Sequence, residues 1–167
     1  MVSLCEKYLE SALESPMIQF LHSELVKENC KLPKIECSNN AANMNAIYKN
    51  NTITLFAPNI VTRKQLENII SHELVHAYDE CRYKIDFDSC LMRACSEVRA
   101  SMLSNECHYS QELLRGNFKF VNGFQDCVKR RAKMSLELSE CKDLASDYVE
   151  FCFKTCFKNT EPFIDIP

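Results

Sequence analysis

The chain has 167 residues, of which 46% are hydrophobic, and its 20 basic and 23 acidic side chains give a formal net charge of −3. This length and composition suit one globular domain with a substantial core. The chain has no run of 18 apolar residues, which argues against a membrane-spanning helix, and its small negative charge gives no bulk attraction for nucleic acid.

Two amphipathic helices are predicted at the N-terminus. The first covers residues 3–14, where apolar residues recur at helical spacing. Ser15-Pro16 marks the start of the second, because serine is a common N-cap and proline is favoured in the first turn. This helix runs to about residue 29. His22 lies within it, and a lone histidine in such a place is typically a surface or hydrogen-bonded residue rather than a ligand.

A small β element is predicted next. Residues 31–43 look like an irregular loop, and they precede two short strands at 46–49 and 52–56. Asn50-Asn51 between the strands can adopt the positive φ angles that a tight hairpin turn requires. The second strand is a candidate edge strand that holds a substrate backbone by strand addition, and a purely structural hairpin is the equal alternative.

The third predicted helix contains the pattern His-Glu-x-x-His. It starts at a capping pair, Thr62 and Gln65, and runs to about residue 82. His72 and His76 are four residues apart and therefore lie on one face, where two imidazoles can bind one zinc ion. Glu73 can act as the general base on water at that metal.

A surface helix that happens to carry two histidines is the alternative interpretation of this pattern. The apolar residues around the motif argue against it: Ile69, Ile70, Leu74, Val75 and Ala77. Buried histidines beside a buried glutamate require a partner, since unpaired buried polar groups are costly, and a metal supplies one.

Catalytic zinc requires a third protein ligand and one open position. Glu97 is the leading candidate, because it lies 21 residues beyond His76 on a helix predicted from Asp88 or Ser89 to about residue 104. The separation resembles that of peptidases that use two histidines and a glutamate. The alternative is a surface glutamate paired with Arg93.

Asp79 is the rival ligand. It lies one turn beyond His76, so it can bind the metal directly or orient a histidine from behind. Its structural alternatives are a surface carboxylate in the C-terminal half of the helix, or a salt bridge to Arg82 or Arg99. His108 is a weaker third choice. The residues considered for stabilising an oxyanion are Tyr78, Arg99, His108 and Tyr109, and nothing in the sequence selects among them.

The C-terminal part is predicted to be helical. A short helix or loop covers 107–116, amphipathic helices follow at 121–138 and 143–158, and an extended tail occupies 161–167. The one basic cluster is Lys129-Arg130-Arg131-Lys133. We interpret it as a solvated helix face, with contact to anionic lipid as the alternative for a peripheral membrane protein.

Eleven cysteines are far above average usage. No Cys-x-x-Cys pair occurs, so a four-thiolate zinc site is disfavoured. We expect a disulfide framework of up to five bridges with one thiol left over, against the alternative of reduced, buried cysteines. The first 16 residues resemble neither a signal peptide nor a matrix presequence. The expected compartment is therefore the cytosol or the mitochondrial intermembrane space, where oxidation can trap an imported chain.

Several phrases resemble one family, the mitochondrial inner-membrane metalloproteases that process and help assemble a membrane subunit of the ATP synthase. The resemblance rests on residues 72–82, 94–100, 103–107, 127–132 and 161–167, the first of which reads His-Glu-Leu-Val-His-Ala-Tyr-Asp-Glu-Cys-Arg. It implies His72 and His76 as ligands, Glu73 as the catalytic residue, and an intermembrane-space enzyme peripheral to the inner membrane. Members of the family are also described with a proteolysis-independent assembly role, and an animal member carries a Ku-binding label.

The sequence therefore predicts a mostly helical α+β protein, a zincin-like, disulfide-rich metallopeptidase with a small sheet or hairpin. We expect a single domain over 1–167, with N-terminal helices at 1–30, a metal-site core at 44–107 and C-terminal helices at 108–167. The expected activity is zinc-dependent endopeptidase cleavage of a mitochondrial inner-membrane or intermembrane-space protein, with an ATP synthase subunit precursor as the substrate. The competing class is a non-proteolytic assembly or adaptor protein with a structural zinc site. No nucleic-acid partner is expected.

Overall fold

The computed structural model describes residues 2–118 and 122–163. The chain forms two compact units, Met1–Lys84 and Ile85–Pro167. The boundary between them falls inside the segment 44–107 that we expect to form the metal-site core, while the expectation of a single domain stays a prediction. No helix of the described residues is long and apolar enough to cross a membrane.

The first unit combines three helices with a three-stranded sheet. Its elements are α1 (Val2–Leu13), α2 (Pro16–Lys27), β1 (Lys34–Ser38), β2 (Ala46–Lys49), β3 (Thr52–Phe56) and α3 (Arg63–Tyr83), with a 3-10 turn at Ala57–Asn59. The Ser15 hydroxyl accepts a hydrogen bond from the N–H of Ile18, and Pro16 opens α2, as predicted. The mostly helical composition and the small β element are thus confirmed.

The order of the sheet differs from the prediction. The strands lie in the order β1-β3-β2, with β1 parallel and β2 antiparallel to β3. The hairpin between β2 and β3 is confirmed, and Asn50 and Asn51 adopt φ angles of 52° and 56°. β3, however, is the central strand, so the expectation that it forms a substrate-binding edge is wrong.

The prediction of an irregular loop at 31–43 is also wrong, because it contains β1. This strand is short and carries two charged residues, Lys34 and Glu36, so its own pattern does not indicate a strand. Distant contacts hold it in place: Ile35 is in register with Ile53 of β3, and Cys37 is disulfide-bonded to Cys5 of α1.

The helix α3 is the centre of the first unit and packs against α1, α2 and β2. Thr62 Oγ1 accepts a hydrogen bond from the Gln65 N–H at 3.1 Å, as the capping pair predicts. The Gln65 side chain in turn accepts from the N–H of Val61 at 2.9 Å. The helix ends at Lys84, whose left-handed conformation has a φ of 55°. Burial of Leu66, Ile70 and Leu74 joins α3 to the core.

A side-chain bond fixes β2 on α3. The Tyr48 hydroxyl of β2 donates a hydrogen bond to a carboxylate oxygen of Glu80 on α3. Burial raises the pKa of Tyr48, and the hydrogen bond and charge of Glu80 raise it further. The phenol therefore stays protonated and able to donate at physiological pH.

The described residues of the second unit form a 3-10 turn at Lys142–Leu144 and four α-helices. These are α4 (Cys90–Leu103), α5 (Tyr109–Leu114), α6 (Gly123–Glu137) and α7 (Ala145–Cys156). The helix α4 packs against both α6 and α7. Val98, Val128, Leu136 and Phe153 are among the apolar side chains of the core between these helices.

Two predictions for this region concern its C-terminal tail and the first residue of α6. The expected extended tail is wrong at 161–163, where the chain turns and the Phe163 N–H donates to the Thr160 carbonyl at 2.8 Å. The rest of that tail, 164–167, lies outside the described residues. So does residue 121, where α6 was expected to begin, and within the described residues this helix starts at Gly123.

Five disulfides and one thiol account for all eleven cysteines, which confirms the predicted framework. The first unit contains Cys5–Cys37 and Cys30–Cys81, and the second contains Cys90–Cys141, Cys95–Cys156 and Cys107–Cys127. The remaining cysteine, Cys152, is buried in the second unit, and burial raises the pKa of its thiol to about 11. Disulfides close the chain over separations of 20 to 61 residues and restrict the unfolded state.

A buried carboxylate links α5 to α6. Both oxygens of Glu112, which is 7% exposed, accept hydrogen bonds from Nη2 of Arg130, at 2.8 and 2.7 Å. Arg115 donates to Glu112 at 2.8 Å, and Asn117 donates at 3.0 Å. Burial alone would raise the pKa of Glu112, but the hydrogen bonds and charges of Arg130 and Arg115 outweigh it and lower the pKa.

We expect Glu112→Gln to lower the free energy of unfolding at pH 7 by about 2 kcal/mol, as for a hydrogen bond to a charged partner. Because the pKa is lowered on folding, the contribution of Glu112 is present above its ordinary value of 4.5 and is lost as the pH falls through the folded value. Urea unfolding at pH 7 and at pH 3.5 should therefore show a smaller pH effect in the variant than in the wild type. Glu137→Gln is the control, since Glu137 is half exposed and lies 3.9 Å from Lys133. An unchanged pH dependence in Glu112→Gln would contradict the prediction.

Candidate metal centre

The two histidines of the motif lie side by side on α3. Their ring centroids are 4.9 Å apart, with the ring planes at 79°. A ring nitrogen of His72 lies within 4.8 Å of one of His76. His76 is 6% exposed, and His72 is partly buried. The four-residue spacing therefore brings the two imidazoles together as predicted.

This pair fits a zinc ion. A tetrahedral zinc with Zn–N distances of about 2.0–2.1 Å holds two nitrogen ligands roughly 3.4 Å apart. The nitrogens of His72 and His76 lie within 4.8 Å of each other, close enough for one ion to contact both. Neutral imidazole is also a preferred zinc ligand. The donor set on α3 is therefore suited to zinc.

Two carboxylates lie on the same helix, both removed from solvent. Glu73 is 8% exposed and follows His72 directly, whereas Asp79 is fully buried one turn beyond His76. The alternative of a surface carboxylate does not suit the burial of Asp79. Asp79 is therefore a core residue of the metal helix.

Glu97 belongs to the second unit, in the middle of α4. It is 8% exposed, which does not suit a surface glutamate, and the Nε of Arg93 donates to the carbonyl of Phe87 at 2.7 Å. Cys90 and Cys95 lie on the same helix, and their disulfides to Cys141 and Cys156 fix α4 within its unit. Glu97 is therefore a buried carboxylate on a helix that two disulfides hold in place.

The candidates for oxyanion stabilisation occupy different surroundings. Tyr78 is buried in the first unit and packs edge-on to Tyr83 at 6.2 Å. Arg99 donates to the backbone carbonyls of Asn159 and Glu161 at 2.5 and 2.7 Å, which anchors the end of the chain to α4. The remaining two, His108 and Tyr109, line a cavity between α5 and α6.

The second unit contains a cavity of about 350 Å³ between α5 and α6, a feature that sequence analysis missed. Its lining is formed by Cys107, His108, Tyr109, Glu112, Asn117, Gly123, Phe124, Asp126 and Arg130. These residues come from separate segments with no common spacing, so no pattern in the sequence signals the cavity.

Each basic residue of the cluster on α6 forms an ion pair with a glutamate. Lys129 pairs with Glu150, Arg130 with Glu112, Arg131 with Glu106 and Lys133 with Glu137, at distances from 2.6 to 3.9 Å. Every positive charge thus has a nearby carboxylate. This arrangement favours the solvated, ion-paired helix face over attraction to anionic lipid.

Comparison with known proteins gives a family for the whole chain. The profile of the Peptidase M76 family matches residues 3–164. The mitochondrial inner membrane protease atp23 of Schizosaccharomyces pombe is 35% identical over 95% of this chain and 90% of its own length. Proteins of the same name from Coccidioides immitis and Malassezia globosa are 35% and 31% identical, covering 97% and 95% of this chain and 72% and 75% of their own lengths. No solved structure matches.

The matched range, residues 3–164, extends over nearly the whole chain and spans the positions of the α3 motif and of Glu97. It confirms the resemblance that the motifs indicate. The chain is a peptidase and belongs to the Peptidase M76 family, a family of metallopeptidases.

Proposed function

We propose that the chain is a zinc-dependent endopeptidase in which His72, His76 and Glu97 bind the metal and Glu73 is the catalytic base. The observation that carries the proposal is the pair of imidazoles on one face of α3, with ring nitrogens within 4.8 Å of each other. The buried Glu73 beside them supports a catalytic rather than a structural site, since a structural site requires no base.

Burial and rigidity support Glu97 as the third ligand. Glu97 is 8% exposed, and its carboxylate oxygens are of the kind that zinc binds in catalytic sites. Two disulfides fix α4, so the carboxylate is held on a rigid element, as precise coordination demands. Asp79, also buried, is the residue that we expect to orient His76 from behind rather than bind the metal.

The chemistry follows from the side chains. When bound, a zinc ion supplies Lewis-acid chemistry, polarising a carbonyl group and acidifying water. Glu73 accepts a proton from the water that attacks the peptide carbonyl carbon, and then delivers that proton to the amine nitrogen as the C–N bond breaks. Glu73 is 8% exposed, so its carboxylate has little contact with bulk water.

Strand addition at β2 is the binding mode that we propose for the substrate backbone. Since β3 is central, the sheet has its edges at β1 and β2. β2 packs against the metal helix α3, whereas β1 packs against α1. The bond between Tyr48 and Glu80 fixes this edge beside α3. An extended peptide at β2 gains backbone hydrogen bonds and leaves alternate side chains for recognition.

The proposed substrate is a mitochondrial inner-membrane or intermembrane-space protein, with an ATP synthase subunit precursor as the first candidate. Support comes from relatives named mitochondrial inner membrane proteases and from the family resemblance of the motifs. The intermembrane space also suits a chain with five disulfides. An assembly role that does not require proteolysis accompanies the peptidase activity in this proposal.

A substrate trap tests the proposal. Glu73→Gln should keep zinc and fold but stall hydrolysis, so its uncleaved substrate should accumulate in pull-downs from mitochondria and be absent with wild type. Enrichment of an ATP synthase subunit precursor would support both the enzyme and the substrate. A different precursor would retain the enzyme and remove that substrate. Identical partners for both forms, with no precursor left unprocessed, would contradict the peptidase proposal in favour of an assembly factor.

A further inference from the structure

The cavity between α5 and α6 has the properties of a binding pocket. Its volume of about 350 Å³ lies in the range of pockets that bury a ligand, which begins near 300 Å³. It lies wholly in the second unit, and the proposed roles of His72, Glu73 and His76 do not use it. Two of its lining residues, His108 and Tyr109, are also candidates for stabilising an oxyanion, but the proposed mechanism gives neither of them a role.

The walls of the cavity are suited to an aromatic ring. Tyr109 and Phe124 contribute aromatic side chains that are 41% and 44% exposed. The sulfurs of the Cys107–Cys127 disulfide are polarisable, and Cys107 itself lines the cavity; sulfur makes favourable contacts with aromatic rings. Gly123 contributes no side chain, so it leaves room at the wall.

The guanidinium of Arg130 favours an aromatic ligand over an aliphatic one. Arg130 lines the cavity, and the face of an aromatic ring carries the negative end of its quadrupole, which attracts a guanidinium. An aliphatic side chain has no such charge distribution. The guanidinium is planar, so a ring can also stack on it.

The cavity walls are held in place without a ligand. The ion pair between Arg130 and both oxygens of Glu112 fixes the guanidinium. The Phe124 ring packs against Phe157 at 5.9 Å, and Phe157 stacks on Phe153 at 4.9 Å. A pocket fixed in this way loses little conformational freedom when it binds.

We propose that this cavity binds an aromatic side chain of a protein substrate, which selects substrates that expose tryptophan, tyrosine or phenylalanine in an unfolded or extended segment. The biological role rests on the proposed peptidase function, whereas binding itself does not require cleavage. The occupant is part of a polypeptide, because the family to which the chain belongs acts on proteins.

Tryptophan fluorescence tests this proposal directly, because the protein contains no tryptophan. The probe is the capped peptide acetyl-Gly-Gly-Trp-Gly-Gly-amide, titrated with the oxidised full-length chain carrying Glu73→Gln, so that no hydrolysis occurs. We expect saturable changes in peptide emission. Peptides with phenylalanine or tyrosine in place of tryptophan should compete, and those with leucine or alanine should compete at least about fivefold less well.

Three further variants in the same background locate the binding. Phe124→Ala removes one wall, and Gly123→Leu fills the space; each should weaken tryptophan-peptide binding by about fivefold or more. Phe151→Ala is the matched control, because Phe151 lies on α7, is 79% exposed and is outside the cavity, so its removal should leave binding unchanged. Circular dichroism and the single free thiol report that each variant folds.

The proposal is overturned if peptide binding does not depend on the cavity variants or on the aromatic ring of the peptide. Equal affinity in Gly123→Leu and Phe124→Ala would place the peptide elsewhere. Equal competition by the leucine peptide would make the cavity a general apolar site. Failure of the peptidase proposal is a separate result, because a chain that binds aromatic peptides but cleaves nothing would still show both variant effects.

Discussion

Replacing Glu73 by glutamine is expected to reduce kcat/KM for peptide hydrolysis by about a thousandfold, within the range of about 100- to 10,000-fold for loss of general acid–base catalysis. Glutamine has nearly the same shape as glutamate but cannot accept a proton from water. The zinc content should remain that of the wild type, because His72 and His76 are unchanged. Hydrolysis of a quenched fluorescent peptide, with zinc measured by mass spectrometry on the same sample, gives both quantities.

Glu67→Gln is the matched control for this variant. Glu67 lies on the same helix and pairs with Arg63 and Lys64 at 2.7 and 3.1 Å, six residues before the catalytic glutamate. Its loss should change the rate by less than about twofold, because its carboxylate pairs with Arg63 and Lys64 in the first turns of α3 and is not part of the proposed metal site. A Glu73→Gln enzyme with near wild-type activity would mean that another group takes the proton. A zinc-free Glu73→Gln protein would make Glu73 part of the metal site instead.

Local patterns in the sequence predicted most of the helices and the hairpin. The capping pair Thr62 and Gln65, the Ser15-Pro16 start and the Asn50-Asn51 turn act through atoms only a few residues apart. The physical cause is therefore present in the sequence itself, and the structure confirms each of these features.

The errors concern features that distant residues determine. β1 is a strand because β3 offers it a parallel partner, and that same pairing places β3 in the centre of the sheet. The short segment 34–38 contains no signal for either fact. The number of disulfides was predictable from a count of eleven cysteines, but their pairing depends on the packing of elements up to 61 residues apart.

In the candidate site too, local spacing determines some features and tertiary packing determines others. The His72–His76 pair follows from one helical turn, so the sequence predicted its geometry and the structure confirms it. The carboxylates differ because their burial depends on tertiary packing: Glu97 and Asp79 are both nearly inaccessible, whereas the sequence alone also allowed each of them on the surface. The cavity between α5 and α6 could not be predicted from the sequence. Its lining residues, which range from Cys107 to Arg130, come together only in the folded unit.

Zinc affinity should separate Glu97 from Asp79 as the third ligand. We expect Glu97→Ala to weaken zinc binding by more than about a hundredfold, because a catalytic zinc site has only three protein ligands. Asp79→Asn should weaken it by about 10- to 100-fold at most, the range for residues that orient a ligand. The asparagine preserves the shape of a fully buried side chain. Competition with a chelator of known affinity measures both values.

The comparison requires that both variants keep the native framework. A thiol count of one, from Cys152 alone, shows that the five disulfides have formed, and Glu137→Ala provides a control at an exposed glutamate of α6. If Asp79→Asn loses zinc while Glu97→Ala retains it, the metal site lies entirely on α3 and Glu97 is removed from it. If Glu97→Ala loses zinc and Asp79→Asn retains it, the metal requires a carboxylate from the second unit, and the disulfides that hold α4 then become a condition for catalysis as well as for stability.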